Sequence, residues 1–130
     1  MTPLLTLLVY VTLLTFAAIM LGAFLRNKEW TADGLKAGLS NRDHLPEATP
    51  LGGRAERTAK NSIEALLMFA PLAIVAHLAG KEAEVMMGAQ IFLWARVVYI
   101  PIYLAGVVYV RSLIWGVGVF GLAAMVMALI

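Results

Sequence analysis

The first 25 residues constrain this chain most, because the run from Thr2 to Leu25 contains no charged side chain. As an α-helix this run extends about 36 Å, more than the roughly 30 Å hydrocarbon thickness of a bilayer. A secretory signal peptide would carry a basic start and a shorter apolar segment that ends at a small-residue cleavage site, and neither precedes Arg26. The run therefore predicts a membrane-spanning helix.

The composition excludes several classes of protein. Of the 130 residues, 62% are hydrophobic and 14% are charged, whereas a soluble domain is about 45–50% apolar and about 25% charged. This excess of apolar residues excludes a soluble enzyme. The net charge is only +2 and the 10 Lys and Arg residues are scattered, so no nucleic-acid partner is predicted. The absence of cysteine leaves no disulfide, no thiolate metal site and no protein thiol nucleophile, and no metal site is predicted.

The positions of the charges divide the chain into spans. Residues 26–60 hold 12 of the 18 charges together with several glycines and prolines, which predicts an aqueous loop. A second apolar stretch follows, then a tight turn near Gly80, and residues 85–130 carry only two charges and suit two further spans. We therefore predict an all-α, integral membrane four-helix bundle that forms one domain. Its elements are expected at about 3–25, 60–80, 84–107 and 111–130, with a loop over 26–58.

The distribution of basic residues predicts the orientation in the membrane. With four spans, both chain termini lie on one side and the long loop lies on the other. Eight Lys and Arg residues fall on the loop side, whereas Lys81 is alone opposite them. Because cytoplasmic loops are enriched in Lys and Arg, we expect a cytoplasmic loop and both termini outside.

Polar side chains inside the spans are candidates for function, because lipid offers them no hydrogen-bonding partner. The spacing i, i+4, i+7 places the candidates of the second span on one helical face: Arg57, Asn61 and Glu64. The spacing i, i+3, i+7 does the same for those of the third span: Arg96, Tyr99 and Tyr103. Since the two spans are antiparallel, we expect Glu64 at a depth similar to that of Tyr103.

Structural interpretations compete with the functional one. Tyr99 and Tyr103 also fit an aromatic belt at the membrane interface, and Arg57, with Lys60, fits an anchor for lipid head groups. Glu64 and Arg96 resist such an interpretation, since a mid-membrane arginine needs a partner and Glu64 is the only carboxylate expected inside the membrane. A purely structural ion pair between these two residues, within or between subunits, remains a further alternative.

Three segments together resemble the MAPEG family, the membrane-associated proteins of eicosanoid and glutathione metabolism. Residues 53–64 (GRAERTAKNSIE) look like the R-x3-N-x2-E signature of its second helix. Residues 95–103 (ARVVYIPIY) look like its A-R-x2-Y-x3-Y run, and residues 111–112 (RS) look like the Arg-Ser step before its fourth helix. The stretch 38–46 is similar to the loop of bacterial members. In several animal members a tyrosine follows the signature glutamate, whereas this chain has Ala65.

The resemblance implies a homotrimer in the bilayer, in a bacterial inner membrane, that binds glutathione as co-substrate between subunits near the cytoplasmic face. The residues implied in binding are Arg57, Asn61, Glu64, Arg96, Tyr99, Tyr103 and, at the end of the first span, Arg26. Arg111, with Ser112, would face the glutathione sulfur in the catalytic role. The implied activity is that of a transferase or peroxidase, in which the glutathione thiolate attacks a small apolar electrophile or a lipid hydroperoxide.

Two alternative functions were weighed. A non-catalytic MAPEG-like protein, acting as an accessory or assembly subunit of a larger membrane complex, would keep the same motifs because a pocket can bind without turnover. A small multidrug transporter of four helices would need an acidic residue in its first span for proton coupling. Residues 2–25 contain none, which disfavours the transporter.

Overall fold

The computed structural model describes the whole chain, Met1–Ile130, as five helices without a β-strand. The helices are α1 (Pro3–Asn27), α2 (Ala32–Leu39), α3 (Pro50–Leu78), α4 (Glu82–Leu104) and α5 (Val108–Leu129). All except α2 are long and apolar enough to cross a membrane. The predicted all-α architecture with four membrane helices is therefore confirmed. We call the side of the α1–α3 connection the loop side, and the side of both chain ends the terminal side.

Threonine side chains begin three of the five helices. Thr2 accepts a hydrogen bond from the Leu5 backbone N–H at 3.3 Å, and Thr49 accepts one from the Gly52 N–H at 3.0 Å. A proline follows each of these two threonines at the first helical position, where its missing N–H has no helical partner to lose. Thr31 caps α2 in the same way. These caps satisfy donors that a helix start leaves unpaired.

The second membrane helix begins before the span that its sequence predicts. We predicted a span from about residue 60, whereas α3 starts at Pro50, and the expected loop also contains α2. The charged residues between 54 and 60 favour an aqueous loop in the sequence, because hydropathy measures only how well a segment transfers from water to lipid. Helix formation depends instead on backbone hydrogen bonds and caps, and charged residues are good helix formers. The arginine signature therefore lies on a continuous helix that extends beyond the apolar segment.

Left-handed glycines end two of the membrane helices. Gly106, with φ of 78°, follows the last turn of α4, and the Val107 N–H donates to the Ile102 carbonyl at 3.3 Å. Gly80, with φ of 70°, ends α3 in the same way. This arrangement is the Schellman motif, which favours glycine because a Cβ is strained at positive φ. The break between α4 and α5 falls at residues 105–107, where the sequence predicts spans of about 84–107 and 111–130.

The membrane helices pack as two pairs, α1 with α3 and α4 with α5. The Phe69 and Phe92 rings stack at 4.7 Å between centroids and join α3 to α4 within the core. Gly88 and Gly121 let α4 and α5 approach so closely that a Cβ on Gly88 would lie 2.6 Å from the Gly121 carbonyl oxygen. In contrast, α3 and α5 share the smallest contact of all the helix pairs that touch. They therefore leave a crevice between them.

Candidate functional site

Three cavities follow one another along the crevice between α3 and α5. The loop-side cavity measures about 380 Å³, the middle cavity about 160 Å³ and the membrane cavity about 410 Å³. Arg111 lines both of the first two, and Asn61 and Trp115 line both of the last two. The membrane cavity is mainly hydrophobic, with 9 hydrophobic residues among 13. The crevice thus passes from a cationic entrance to an apolar interior.

The loop-side cavity is lined by three arginines and no carboxylate: Arg54, Arg57 and Arg111. The Arg57 Nε donates to the Tyr103 hydroxyl at 3.1 Å, and the Arg111 guanidinium lies over the Tyr103 ring at 4.6 Å from its centroid. None of these arginines has an acidic partner within 4.0 Å. Guanidinium groups bind carboxylates in a bidentate manner, so this cavity suits an anionic ligand.

The middle cavity brings both predicted catalytic residues together with two predicted binding residues. Arg111 and Ser112 line it alongside Asn61 and Tyr99. Ser112 donates to the Val108 carbonyl at 3.5 Å, a long contact, so its hydroxyl is only weakly held by its own helix. Tyr99 is 2% exposed, which does not fit the aromatic-belt alternative for this residue.

Arg96 is buried beneath the crevice and has only neutral partners. It is 5% exposed, donates to the Asn61 Oδ1 at 2.6 Å and to the Ser62 Oγ at 3.1 Å, and lies over the Tyr99 ring. The intrasubunit ion pair with Glu64 that we considered is not formed, because no carboxylate lies within 4.0 Å of this guanidinium. Arg96 therefore fixes Asn61 and leaves the positive charge of this helical face without a counterion in the subunit.

Glu64 faces the membrane cavity as an exposed carboxylate with no ion pair or hydrogen bond within the subunit. The expectation that Glu64 lies at the depth of Tyr103 was wrong. Arg57 meets Tyr103 and Asn61 meets Arg96, so Glu64, one turn further along α3, lies deeper than Tyr103. It lines the membrane cavity together with Phe92 and Arg96. The error followed from the helix start, because a helix that begins at Pro50 carries Glu64 about 21 Å inward.

Arg26 lies apart from the other predicted site residues within one subunit. Its Nε forms an ion pair with the Glu56 Oε2 at 3.2 Å, and its buried NH1 nitrogen has no hydrogen-bonding partner. None of its polar contacts goes to the crevice residues. The structure thus brings together the remaining predicted residues, on α3, α4 and α5, and leaves Arg26 at the end of α1.

Sequence reasoning missed three residues that shape the crevice. Ser62 accepts a hydrogen bond from Arg96, and Trp115 lines both the middle cavity and the membrane cavity. The Arg54 Nε–H donates to the Leu104 carbonyl at 3.0 Å. Helical spacing could have identified two of them. Trp115 lies one turn after Arg111, and Arg54 lies one turn before Arg57, on the faces already selected.

The comparison with known proteins identifies a family. A sequence model described as the MAPEG family matches residues 3–130, which is nearly the whole chain. No curated protein and no solved structure matches. The four apolar helices identify an integral membrane protein, and the chain belongs to the MAPEG family.

Proposed function

We propose that this protein is a membrane-bound, glutathione-dependent transferase or peroxidase that acts as a homotrimer. MAPEG proteins include glutathione transferases and peroxidases as well as non-catalytic members. The observation that carries the proposal is the crevice, where unpaired arginines, a small polar cavity and an apolar cavity lie in line. In this proposal the loop side faces the cytoplasm, which supplies glutathione, and the membrane supplies the apolar electrophile.

The charges along the crevice complement those of glutathione. Glutathione carries two carboxylates and one ammonium group, so a complementary site needs guanidinium groups and one carboxylate. Arg57 and Arg111 line the loop-side cavity without acidic partners, and Glu64 is a carboxylate without a basic partner. Glu64 lies unpaired on a membrane-crossing helix, where lipid offers a charge no partner, and this favours a ligand group of opposite charge beside it. Asn61, Tyr99 and Tyr103 would position the peptide backbone.

The middle cavity suits the reacting sulfur. A free thiol has a pKa of about 8.5, and each unit by which a site lowers it corresponds to about 1.4 kcal/mol of thiolate stabilisation. The Arg111 guanidinium and the Ser112 hydroxyl both line this cavity and would stabilise the thiolate. The thiolate then forms a carbon–sulfur bond with the electrophile, and the electrophile either loses a leaving group such as halide or opens an activated double bond and takes up a proton. With a hydroperoxide the thiolate attacks the terminal oxygen, the O–O bond breaks, and the alcohol leaves after it takes up a proton. The thiol of a second glutathione then attacks the sulfenic sulfur, which forms glutathione disulfide and releases water.

The proposed trimer accounts for groups that one subunit leaves open. Glu64 is exposed on a helix that crosses the membrane, and the crevice is open along its length. A neighbouring subunit that covers the crevice would remove Glu64 from lipid and enclose a ligand between subunits. Arg26, at the loop-side end of α1, would then contribute from a neighbour, because it does not reach the crevice of its own subunit.

The central test measures the thiolate and the reaction separately. We expect the purified protein to show the ultraviolet difference absorbance of glutathione thiolate near neutral pH and to conjugate a generic aromatic electrophile. Arg111→Ala is expected to lose the thiolate signal and to lower the conjugation rate by about 100-fold, as expected for loss of one charge-stabilising donor. Lys36→Ala, which removes an equal charge on exposed α2, is the matched control. Wild-type protein that shows neither signal contradicts the proposal.

A second variant separates binding from assembly. Glu64→Gln is expected to weaken glutathione binding about tenfold while the trimer persists, because only the charge that faces the ammonium is lost. If this variant instead dissociates, Glu64 is a structural ion-pair partner between subunits. Binding without any turnover in the wild type would favour the accessory-subunit alternative.

A further inference from the structure

The loop-side cavity holds more positive charge than the proposed function uses. Three arginines line it without a carboxylate: Arg54, Arg57 and Arg111. The proposed function gives roles to Arg57 and Arg111 and leaves Arg54 without one. Like charges that share a cavity repel one another, and an anion bound among them relieves this repulsion. The unassigned guanidinium group therefore suits a further anionic ligand.

Two of these arginines are anchored at the last turn of α4 and keep donors free. Arg54 donates its Nε to the Leu104 carbonyl at 3.0 Å, so it also offsets the negative end of the α4 dipole. Arg57 donates its Nε to the Tyr103 hydroxyl at 3.1 Å. The terminal nitrogens of both side chains form no hydrogen bond or ion pair within the chain. The anchored guanidinium groups thus retain N–H donors for a ligand.

The start of α5 adds backbone donors beside the arginines. No side chain caps α5 at Val107, whereas threonines cap α1, α2 and α3. The backbone N–H groups of residues 108–110 have no acceptor within the chain. Val108 and Pro50, the first residues of α5 and α3, both line the cavity. The positive ends of two helix dipoles therefore lie next to the arginine cluster.

We propose that the loop-side cavity binds the phosphoryl group of a phosphate monoester through Arg54, Arg57 and Arg111. Such a group carries a charge of about −1.5 to −2 at pH 7 and presents three strong acceptor oxygens. These oxygens accept hydrogen bonds from guanidinium groups that belong to different helices, whereas one carboxylate forms a planar pair with one guanidinium. A helix start with free N–H groups is itself favourable for phosphate. The cavity thus matches a phosphoryl group in both charge and donors.

Phosphoryl binding regulates the proposed reaction by competition. Because Arg57 and Arg111 serve both ligands, a bound phosphate monoester excludes glutathione and raises the KM for glutathione without changing kcat. This competition rests on the proposed function, whereas phosphate binding itself requires no glutathione. The three arginines belong to one subunit, so each member of the proposed trimer holds one site.

Equilibrium dialysis of radiolabelled inorganic phosphate against the purified protein in non-ionic detergent tests the site directly. At constant ionic strength we expect saturable binding of one phosphate per subunit, which an equal concentration of acetate does not displace. Arg54→Gln keeps a donor for the Leu104 carbonyl but removes the charge, and it should weaken phosphate binding about 10-fold to 100-fold. Arg42→Gln is the matched control, because the Arg42 Nε donates to the Gly38 carbonyl at 2.9 Å away from the cavity.

The contrary outcomes are specific. Phosphate binding that does not saturate, displacement by acetate, or an equal loss in Arg54→Gln and Arg42→Gln overturns the proposal. Arg57→Gln, at an exposed position, should weaken phosphate binding as well, and it keeps the test decisive if Arg54→Gln fails to fold. Phosphate binding by a protein that gives no glutathione thiolate signal contradicts the proposed function alone.

Displacement of the labelled phosphate identifies the source of the phosphoryl group. Glycerol 3-phosphate and dioctanoyl phosphatidic acid carry the same phosphate monoester, one in a soluble molecule and one in a lipid head group. Equal displacement by both in the same detergent supports a soluble phosphate ester. Displacement by the lipid alone supports a lipid head group at the membrane surface. If neither compound displaces the phosphate, the proposal is wrong.

Discussion

Replacing Gly121 by alanine is expected to force α4 and α5 apart. The added Cβ would lie 2.7 Å from the Gly88 carbonyl oxygen and 2.9 Å from the Phe92 backbone nitrogen, whereas ordinary contact begins at 3.4 Å. Both neighbours are backbone atoms, so no side-chain rotation relieves the overlap, and the helices must separate by several tenths of an ångström. Overpacking of this kind costs about 1–3 kcal/mol, and we place it at the upper end, about 3 kcal/mol, because both clashes involve backbone.

Gly116→Ala is the matched control on the same helix. A Cβ on Gly116 has no neighbour within 4 Å, so the change adds only the higher helix propensity of alanine, about 1 kcal/mol. Gly121→Ala gains the same propensity, which leaves it about 2 kcal/mol less stable than the wild type. Relative to the wild type, Gly116→Ala should be about 1 kcal/mol more stable and Gly121→Ala about 2 kcal/mol less stable. The unfolding free energies of the two variants should therefore differ by about 3 kcal/mol.

Equilibrium unfolding in mixed micelles, with a rising fraction of denaturing detergent, measures this difference. The Gly121→Ala midpoint should fall and the Gly116→Ala midpoint should rise relative to the wild type. Because Trp115 and Arg111 also lie on α5, we expect Gly121→Ala to lower glutathione conjugation as well. If the two alanine variants unfold at the same detergent fraction, the close approach of α4 and α5 is refuted.

Three further predictions concern packing and polar contacts. Phe69→Ala removes the ring stacked on Phe92 in the core and should cost about 3 kcal/mol of unfolding free energy in the same assay. Asn61→Leu should cost about 2 kcal/mol, because the charged Arg96 loses its 2.6 Å acceptor, and Asn61→Asp should not show this loss if the acceptor is what matters. Glu82→Ala should accelerate hydrogen–deuterium exchange in the first turns of α1 without affecting the start of α5, because it removes the oxygen that accepts a hydrogen bond from the Thr2 hydroxyl at 3.1 Å. Exchange at the start of α1 that stays at the wild-type rate would contradict this link.

The sequence predicted the membrane helices because charges are costly in lipid, and it predicted the facing residues because helical spacing is regular. Arg57 and Asn61 were placed on one face of α3, and they contact Tyr103 and Arg96 on the face predicted for α4. The start of α3 was not predicted, since the charges near it favour water over lipid. The pair Thr49-Pro50 was the available signal, because it repeats the cap and first proline that begin α1.

The depth of Glu64 and the short helix α2 required tertiary information. The depth depends on where α3 begins and how it meets α4, and no local pattern fixes that alignment. Gly34 is typical of a loop in the sequence, but the structure places it within α2. A Cβ at this position would lie 2.0 Å from the Lys28 carbonyl oxygen, so the close packing requires glycine. Its small size allows α2 to pack against the end of α1. A sequence pattern does not distinguish a glycine needed for a turn from one needed for close packing.

The contact between Arg54 and Leu104 has a consequence for how the helices are delimited. The last carbonyls of α4 lack helical partners, and a side chain from α3 satisfies one of them beside the left-handed Gly106. The stop signal of α4 is therefore shared between its own glycine and an arginine 50 positions earlier in the chain. Only residues 105–107 separate this end of α4 from the start of α5, the helix that carries Arg111 and Ser112. A charged side chain of α3 thus stabilises the turn between α4 and α5.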